Sequence, residues 1–367
     1  MLLVDTTTAE HSVGIRVVIE GFLRALAELP ERHDTLIGTG PALKVPEGLN
    51  TVRVSQVASR PLRLAYQRIA LPLHVAMLRR AGKNVDRVLL LDAYLPMLRP
   101  GGERYTVFVH DLLTLTHPHY WTQPRLTVKR LALRTVRHSN ATLVTSTEEN
   151  AARIERLLGR CAAVSSFGCG QLTDAEADAA LAAPETERQP HLLFIGSLER
   201  RKGLATLIDA FAAAAPKLDE DTKLIVIGRA ADETAAQIQT RIDEAGLQRR
   251  VVMMGAVSRE KALELLRTAR ALVYPSEAEG FGLPVLEGLA LGTPVVTSNI
   301  PAIHSWAGDS VTYAEPNNRG SLTDALLAAA GGDHPPAERG MALSRSYRWE
   351  GFAQRLIEIS TNPAHST

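Results

Sequence analysis

Cysteine is nearly absent. The 367 residues hold two, Cys161 and Cys169, at no metal-binding spacing, so neither a disulfide framework nor a thiolate metal centre is expected and a reducing compartment is. No apolar run approaches the ~18 residues of a membrane span, and Met1 to Asp5 enters a strand pattern without a signal peptide. A cytoplasmic protein is the expectation. Aromatic residues make up 5%, and the basic cluster described below lacks the interleaved aromatics and motifs of a nucleic-acid binder, which excludes that partner. Net charge is also close to nil, at +1.

What is present suits two globular α/β domains: 45% hydrophobic and 22% charged residues over a length that one small core cannot serve. The near-zero charge conceals a polarity. Residues 1–160 carry 22 Lys/Arg against 14 Asp/Glu, and 161–367 carry 19 against 26. The excess sits between Arg60 and Arg137, with 14 basic and 4 acidic residues, where Pro61–Lys83 and Pro124–His138 read as amphipathic helices. Each is either docked on its own domain with solvated arginines or laid on an anionic membrane. The clustering favours a membrane or anionic-acceptor face.

The densest signal is Tyr274–Ser298, YPSEAEGFGLPVLEGLALGTPVVTS. An apolar strand Ala271–Tyr274 ends, a polar loop Ser276–Gly280 follows, and Pro284 opens a helix where its missing N–H costs nothing. Gly292 and Pro294 close that helix before the strand Val295–Thr297. The loop then lies at the carboxyl end of a strand, and the helix start favours an anion. Gly280 and Gly282 either admit a ligand to the backbone or merely shape a tight connection. Glu279 and Glu287 stand eight residues apart, about 12 Å along a helix, beyond the ~5–9.5 Å of a hydrolytic carboxylate pair. Glu287, one turn into an apolar helix, is placed to accept hydrogen bonds from a pair of sugar hydroxyls.

EGFGLPVLE followed by GTPVV resembles the Glu-x7-Glu signature of retaining nucleotide-sugar glycosyltransferases of family 4, which have the GT-B fold. The resemblance implies an α/β chain of two Rossmann-like domains facing across a cleft, with a C-terminal helix returning to the first. On this chain the expected boundaries are 1–170 for an acceptor domain, 171–189 for a linker, 190–346 for a nucleotide-sugar domain and 347–367 for the returning helix, YRWEGFAQRLIEI.

In the first half, strands are expected at Leu2–Val4, Thr35–Ile37, Val52–Val54, Arg87–Leu91, Tyr105–Val109, Ala141–Thr145 and Ala162–Ser165. The loop after the first strand holds Gly14 where the family carries two adjacent glycines, and His11 reads as a surface loop histidine, with a place in the cleft as the alternative. VFVHD puts His110 and Asp111 at a strand's carboxyl end. The resemblance gives His110 a place beside the donor sugar, and Asp111 is read as fixing the loop. Asp111, His117 and His119 fit no common metal spacing. Ser146 and Glu149 read as a capping box.

In the second half, strands are expected at His191–Ile195, Lys223–Ile227, Val251–Met253 and near Val311–Tyr313. The resemblance assigns Gly196, Arg201 and Lys202 to the donor phosphates and Val257 to the wall of a nucleobase site. It implies donor contacts from Gly280, Phe281, Gly282 and Leu283, a sugar contact from Glu279 and a ribose contact from Glu287. Asp219-Glu220-Asp221 spells a metal-binding triplet used by glycosyltransferases of a different fold, but it precedes a strand and lies at the edge opposite the ligand-bearing loops. No metal or cofactor is expected. The implied activity is transfer of a mannose-like hexose, with retention, from a nucleoside-diphosphate sugar to a glycan, lipid-linked or small acceptor; a sugar-nucleotide epimerase, a phosphorylase and a non-catalytic scaffold are the alternatives.

Overall fold

The structure is a computed structural model that describes all residues except 11–12, 40–42, 54–69, 97–101, 184–186, 230–231 and 363–367. His11, Val54 and the first part of the basic segment Pro61–Lys83 lie outside the described residues. The chain divides into two units, Met1–Gly168 with Tyr347–Thr367, and Cys169–Ser346. Each of the thirteen expected strands has its counterpart.

The first unit holds a wholly parallel sheet, β3-β2-β1-β4-β5-β6-β7. Its strands are β1 Leu2–Asp5, β2 Thr35–Thr39, β3 Asn50–Arg53, β4 Arg87–Leu90, β5 Arg104–Phe108, β6 Thr142–Thr145 and β7 Ala163–Val164. Central strands such as β1 and β5 are almost fully buried, because a parallel sheet is covered on both faces and its strands read as continuous apolar runs. The C-terminal helix Trp349–Thr361 belongs to this unit. Trp349 lies between Gly21 and Gly168, where an added Cβ would meet its ring at 2.4 Å on either side. Phe352 packs at 6.1 Å from Phe22 and 5.4 Å from Phe167. Burying an aromatic of this size contributes on the order of 3 kcal/mol, which holds the returning helix in place.

The second unit has the parallel order β10-β9-β8-β11-β12-β13. These strands are β8 Gln189–Ile195, β9 Lys223–Ile227, β10 Val251–Gly255, β11 Ala269–Tyr274, β12 Val295–Ser298 and β13 Thr312–Ala314. Both units thus reverse their strand order once, between β1 and β4 and between β8 and β11, in the Rossmann manner.

Three expectations are corrected. The segment 171–189 is no free linker: it lies inside the second unit, and Asp174–Ala182 is a helix opened by a reciprocal capping box between Thr173 and Glu176. Its alanine-rich sequence has no strand pattern, and helix propensity with a cap suffices. Thr147 rather than Ser146 caps the helix Glu148–Leu158, accepting from Asn150 N at 3.1 Å. Gly14 is not in the β1 loop but in the first turn of the helix Val13–Glu28.

Candidate active site

In an open parallel sheet, side chains from the two strands that flank the order reversal meet at the carboxyl edge. In the second unit these strands are β8 and β11. The turn Arg200–Lys202 after β8 and the loop after β11 are tied together by Glu277 N donating to Arg201 O at 2.7 Å. Their charged residues converge. Lys202 Nζ lies 2.5 Å from Glu279 Oε1 and 2.5 Å from the Tyr274 hydroxyl, which itself donates to Glu279 Oε1 at 3.0 Å. Arg201 donates to the same oxygen at 3.2 Å, to Ala278 O at 3.0 Å and to Glu199 at 2.9 Å. Burial pushes the Glu279 carboxyl up, but the Lys202 and Arg201 cations outweigh it and hold it at about 2. The same burial lowers the Lys202 ammonium, against the pull of Glu279, and drives the Tyr274 phenol upward, helped by Glu279. Glu279 is therefore an anion that fixes two cations, not a proton donor. The sequence assigns Arg201 and Lys202 to phosphates and Glu279 to a sugar; that the three pair with one another, and that Tyr274 joins them, comes from the structure.

The helix Leu283–Ala290 starts beside this cluster in sequence. Gly282 is its N-cap at φ +97°, a conformation that favours glycine, and no side chain caps the helix start. Its amide end is thus left for an anion. Trp306 braces the loop, donating from Nε1 to Phe281 O at 3.0 Å while its ring stacks on Phe281 at 4.9 Å and 5°. One turn on, Glu287 is buried, and Oε1 accepts from the backbone N–H of Gln171 at 2.8 Å. Burial raises the Glu287 carboxyl to about 7, against the Gln171 hydrogen bond and the Arg259 cation. Gly170, at φ +57°, passes so close that a Cβ would sit 2.1 Å from Glu287 Oε1.

A cavity of about 430 Å³ opens at the carboxyl ends of β8 to β10, lined by Leu198, Gly228, Arg229, Ala235, Met253, Gly255 and Ala256. Gly196 follows β8, and its carbonyl oxygen lies 1.8 Å from where a Cβ on Gly228 would stand. Gly255, where β10 ends, and Ala256 line this cavity and directly precede Val257, the residue expected at a nucleobase wall. Leu198, Gly228 and Met253 carried no motif that could have found them.

In the first unit His110 follows β5. Nε2 lies 2.8 Å from Leu91 O, and the ring stacks on Phe167 at 6.0 Å and 29°. Asp111 Oδ1 accepts from Leu113 N at 2.9 Å, which fixes the loop. His117 stacks against Tyr120 at 6.2 Å. Gly14 is exposed, with nothing within 4 Å of its Cβ position. The acidic triplet precedes β9 at the amino edge of its sheet, and Asp219 receives Arg250 at its carbonyl and Arg270 at its carboxylate, 2.8 and 3.1 Å. No trio of His, Cys, Asp or Glu is arranged for a metal among the described residues.

Residues 178–331 match the family model described as glycosyl transferases group 1. The O-antigen chain mannosyltransferase B of Escherichia coli is 27% identical over 267 residues, covering 70% of this chain and 69% of that protein. The GDP-mannose:cellobiosyl-diphosphopolyprenol alpha-mannosyltransferase of Xanthomonas oryzae pv. oryzae is 32% identical over 173 residues, 46% of this chain and 45% of its own. Among solved structures, a sucrose-phosphate synthase from Thermosynechococcus elongatus superposes with a TM-score of 0.75 at 18% identity, over 100% of this chain and 99% of that one. That last likeness concerns the fold.

Proposed function

From a chain that carries a glycosyl transferases group 1 domain, of the family 4 type with two Rossmann-like units, we propose a retaining transfer of a mannose-type hexose. The donor is a nucleoside-diphosphate sugar, GDP-activated by analogy with the Xanthomonas relative, and the acceptor is a hydroxyl of a lipid-linked or cell-surface glycan. The observation that carries this reading is the convergence of Arg201 and Lys202 on Glu279, on the loop that leads into an uncapped helix start with Glu287 one turn behind.

The physical task is to stabilise a departing diphosphate. Lys202 has three N–H donors and spends two on Glu279 and Tyr274; the third, with Arg201 and the amide end of the helix Leu283–Ala290, offers charge to the phosphates. Glu279, ionised throughout the neutral range, keeps both cations aimed and positions the sugar. Glu287 takes the ribose hydroxyls, and the cavity beside Gly255 and Ala256 takes the base. With two protein cations on the phosphates, no divalent ion is needed. The donor phosphate receives the acceptor's proton on the face it leaves, so no separate base is assigned.

Thermal denaturation with GDP, UDP, ADP and dTDP, with and without magnesium, tests this. A shift for GDP that grows with the logarithm of its concentration and is indifferent to magnesium is the expected result. A shift with none of them, or one that requires magnesium, removes the donor or the metal-free assignment respectively.

The acceptor side rests on charge. No acidic residue occurs from 112 to 147. The helix Gln123–Arg137 in that stretch carries Arg125, Lys129, Arg130, Arg134 and Arg137 beside an exposed Leu131, and none of the five cations has an ion-pair partner among the described residues. On the helix Leu71–Arg80, Leu73 and Met77 are exposed one turn apart. Such a face suits an anionic lipid surface, at about 1 kcal/mol for each cation near it. Sedimentation with phosphatidylglycerol vesicles is expected to carry the protein down at low salt and release it at high salt, and Arg130, Arg134 and Arg137 changed together to Gln to abolish it. Equal binding to neutral vesicles would contradict the reading.

A further inference from the structure

We infer that Arg259 is a positioning residue of the donor site, setting the orientation of the Glu287 carboxylate through the backbone of Gln171. This rests on the assignment of Glu287 to the ribose. The Glu287 carboxylate is bonded by a single group among the described residues, the Gln171 N–H at 2.8 Å, so the rotation of the carboxylate depends on where that peptide is held. Arg259 holds it. Its Nε and a terminal nitrogen both donate to Gln171 O, at 3.0 and 2.8 Å, a forked grip that a planar guanidinium makes and an ammonium does not. The guanidinium is held in turn by Glu176, which also accepts from Thr173 N at 2.7 Å and Thr173 Oγ1 at 2.9 Å as the cap of the helix Asp174–Ala182.

Arg259 is also the first residue of the helix Arg259–Thr268, three residues beyond Ala256 in the cavity wall. One short run of chain therefore lines the base cavity and fixes the carboxylate assigned to the sugar of the same nucleotide. With Oε1 occupied by the amide, the remaining acceptor capacity of Glu287 is presented in one direction, which is what two adjacent hydroxyls require. The consequence is selectivity for ribose over 2′-deoxyribose.

The test is the ratio of dissociation constants for 2′-deoxy-GDP and GDP, read by calorimetry on the intact protein. A hydroxyl lost from a charged acceptor changes affinity by about tenfold or more, so the wild type should show at least that ratio and Glu287→Ala a ratio near one. Arg259→Ala should fall below about threefold while GDP still binds. A merely structural role would weaken both nucleotides equally and leave the ratio intact, and that result overturns the inference. If Glu287→Ala retains the full ratio, the ribose assignment fails instead. Should Arg259→Ala not fold, the same ratio is read on Arg259→Lys, which keeps the charge and stem but not the fork; a collapsed ratio supports the inference and an unchanged one refutes it.

Discussion

Replacing Lys202 by alanine should slow sugar transfer by about 10² to 10³, the cost of removing one preorganised donor from a site where charge develops. The argument is geometric. Lys202 is buried, yet its ammonium is kept in place by Glu279 and Tyr274 at 2.5 Å each. Arg201 remains on Glu279 in the variant, so the carboxylate is not stranded, and the fall in stability should be about 2 kcal/mol rather than the ~3–5 expected for a buried charge left alone. Lys202→Arg should recover little activity, because a planar guanidinium cannot occupy the compact niche between a phenol and a carboxylate. Steady-state transfer from GDP-mannose and a denaturant melt separate the two effects. A rate within a few-fold of wild type would remove Lys202 from the phosphates.

The second large effect is on pH. If ribose hydroxyls bond the ionised form of Glu287, whose carboxyl burial has raised to about 7, nucleotide affinity should fall about tenfold for each unit below pH 7, and about a hundredfold between pH 8 and pH 5. The phosphates of the nucleotide titrate too; Glu287→Gln carries their contribution alone, and the difference between the two curves belongs to Glu287. The ligand-free protein should show the opposite trend from this group. A raised carboxyl contributes stability that is whole below its ordinary value of 4.5 and is lost as pH rises through 7, of order 3 kcal/mol. Glu279, held at about 2, contributes in the other sense: its share is present above 4.5 and lost as pH falls through 2. Superposable affinity curves for wild type and Glu287→Gln would mean that no hydroxyl rests on this carboxylate.

The two glutamates, one in the loop and one on the helix, are a pair in sequence, and their surroundings shift their carboxyls in opposite directions. Their spacing, the proline at the helix start and the glycine after its end were all readable, because a local residue type dictates each. The run Arg200–Lys202 followed by glycine was readable for the same reason, as were the strands, since a buried parallel strand needs an unbroken apolar run. Sequence by itself thus determined thirteen strands, the α/β class and which short stretches carry charge to a carboxyl edge.

Tertiary structure decided the rest. That Tyr274 completes the cluster with Glu279 and with Lys202, 72 residues away in the chain, follows from β8 and β11 being neighbours in the sheet. The cavity wall at Leu198, Gly228 and Met253 is assembled from three strand ends that share no motif. The segment 171–189 reads as a linker from its composition and its lack of a strand pattern, and the bond that ties it to Glu287 comes from a main-chain amide. Every residue but proline has one, so the side chain at 171 leaves no mark of the contact; only the closing of the chain upon itself shows it.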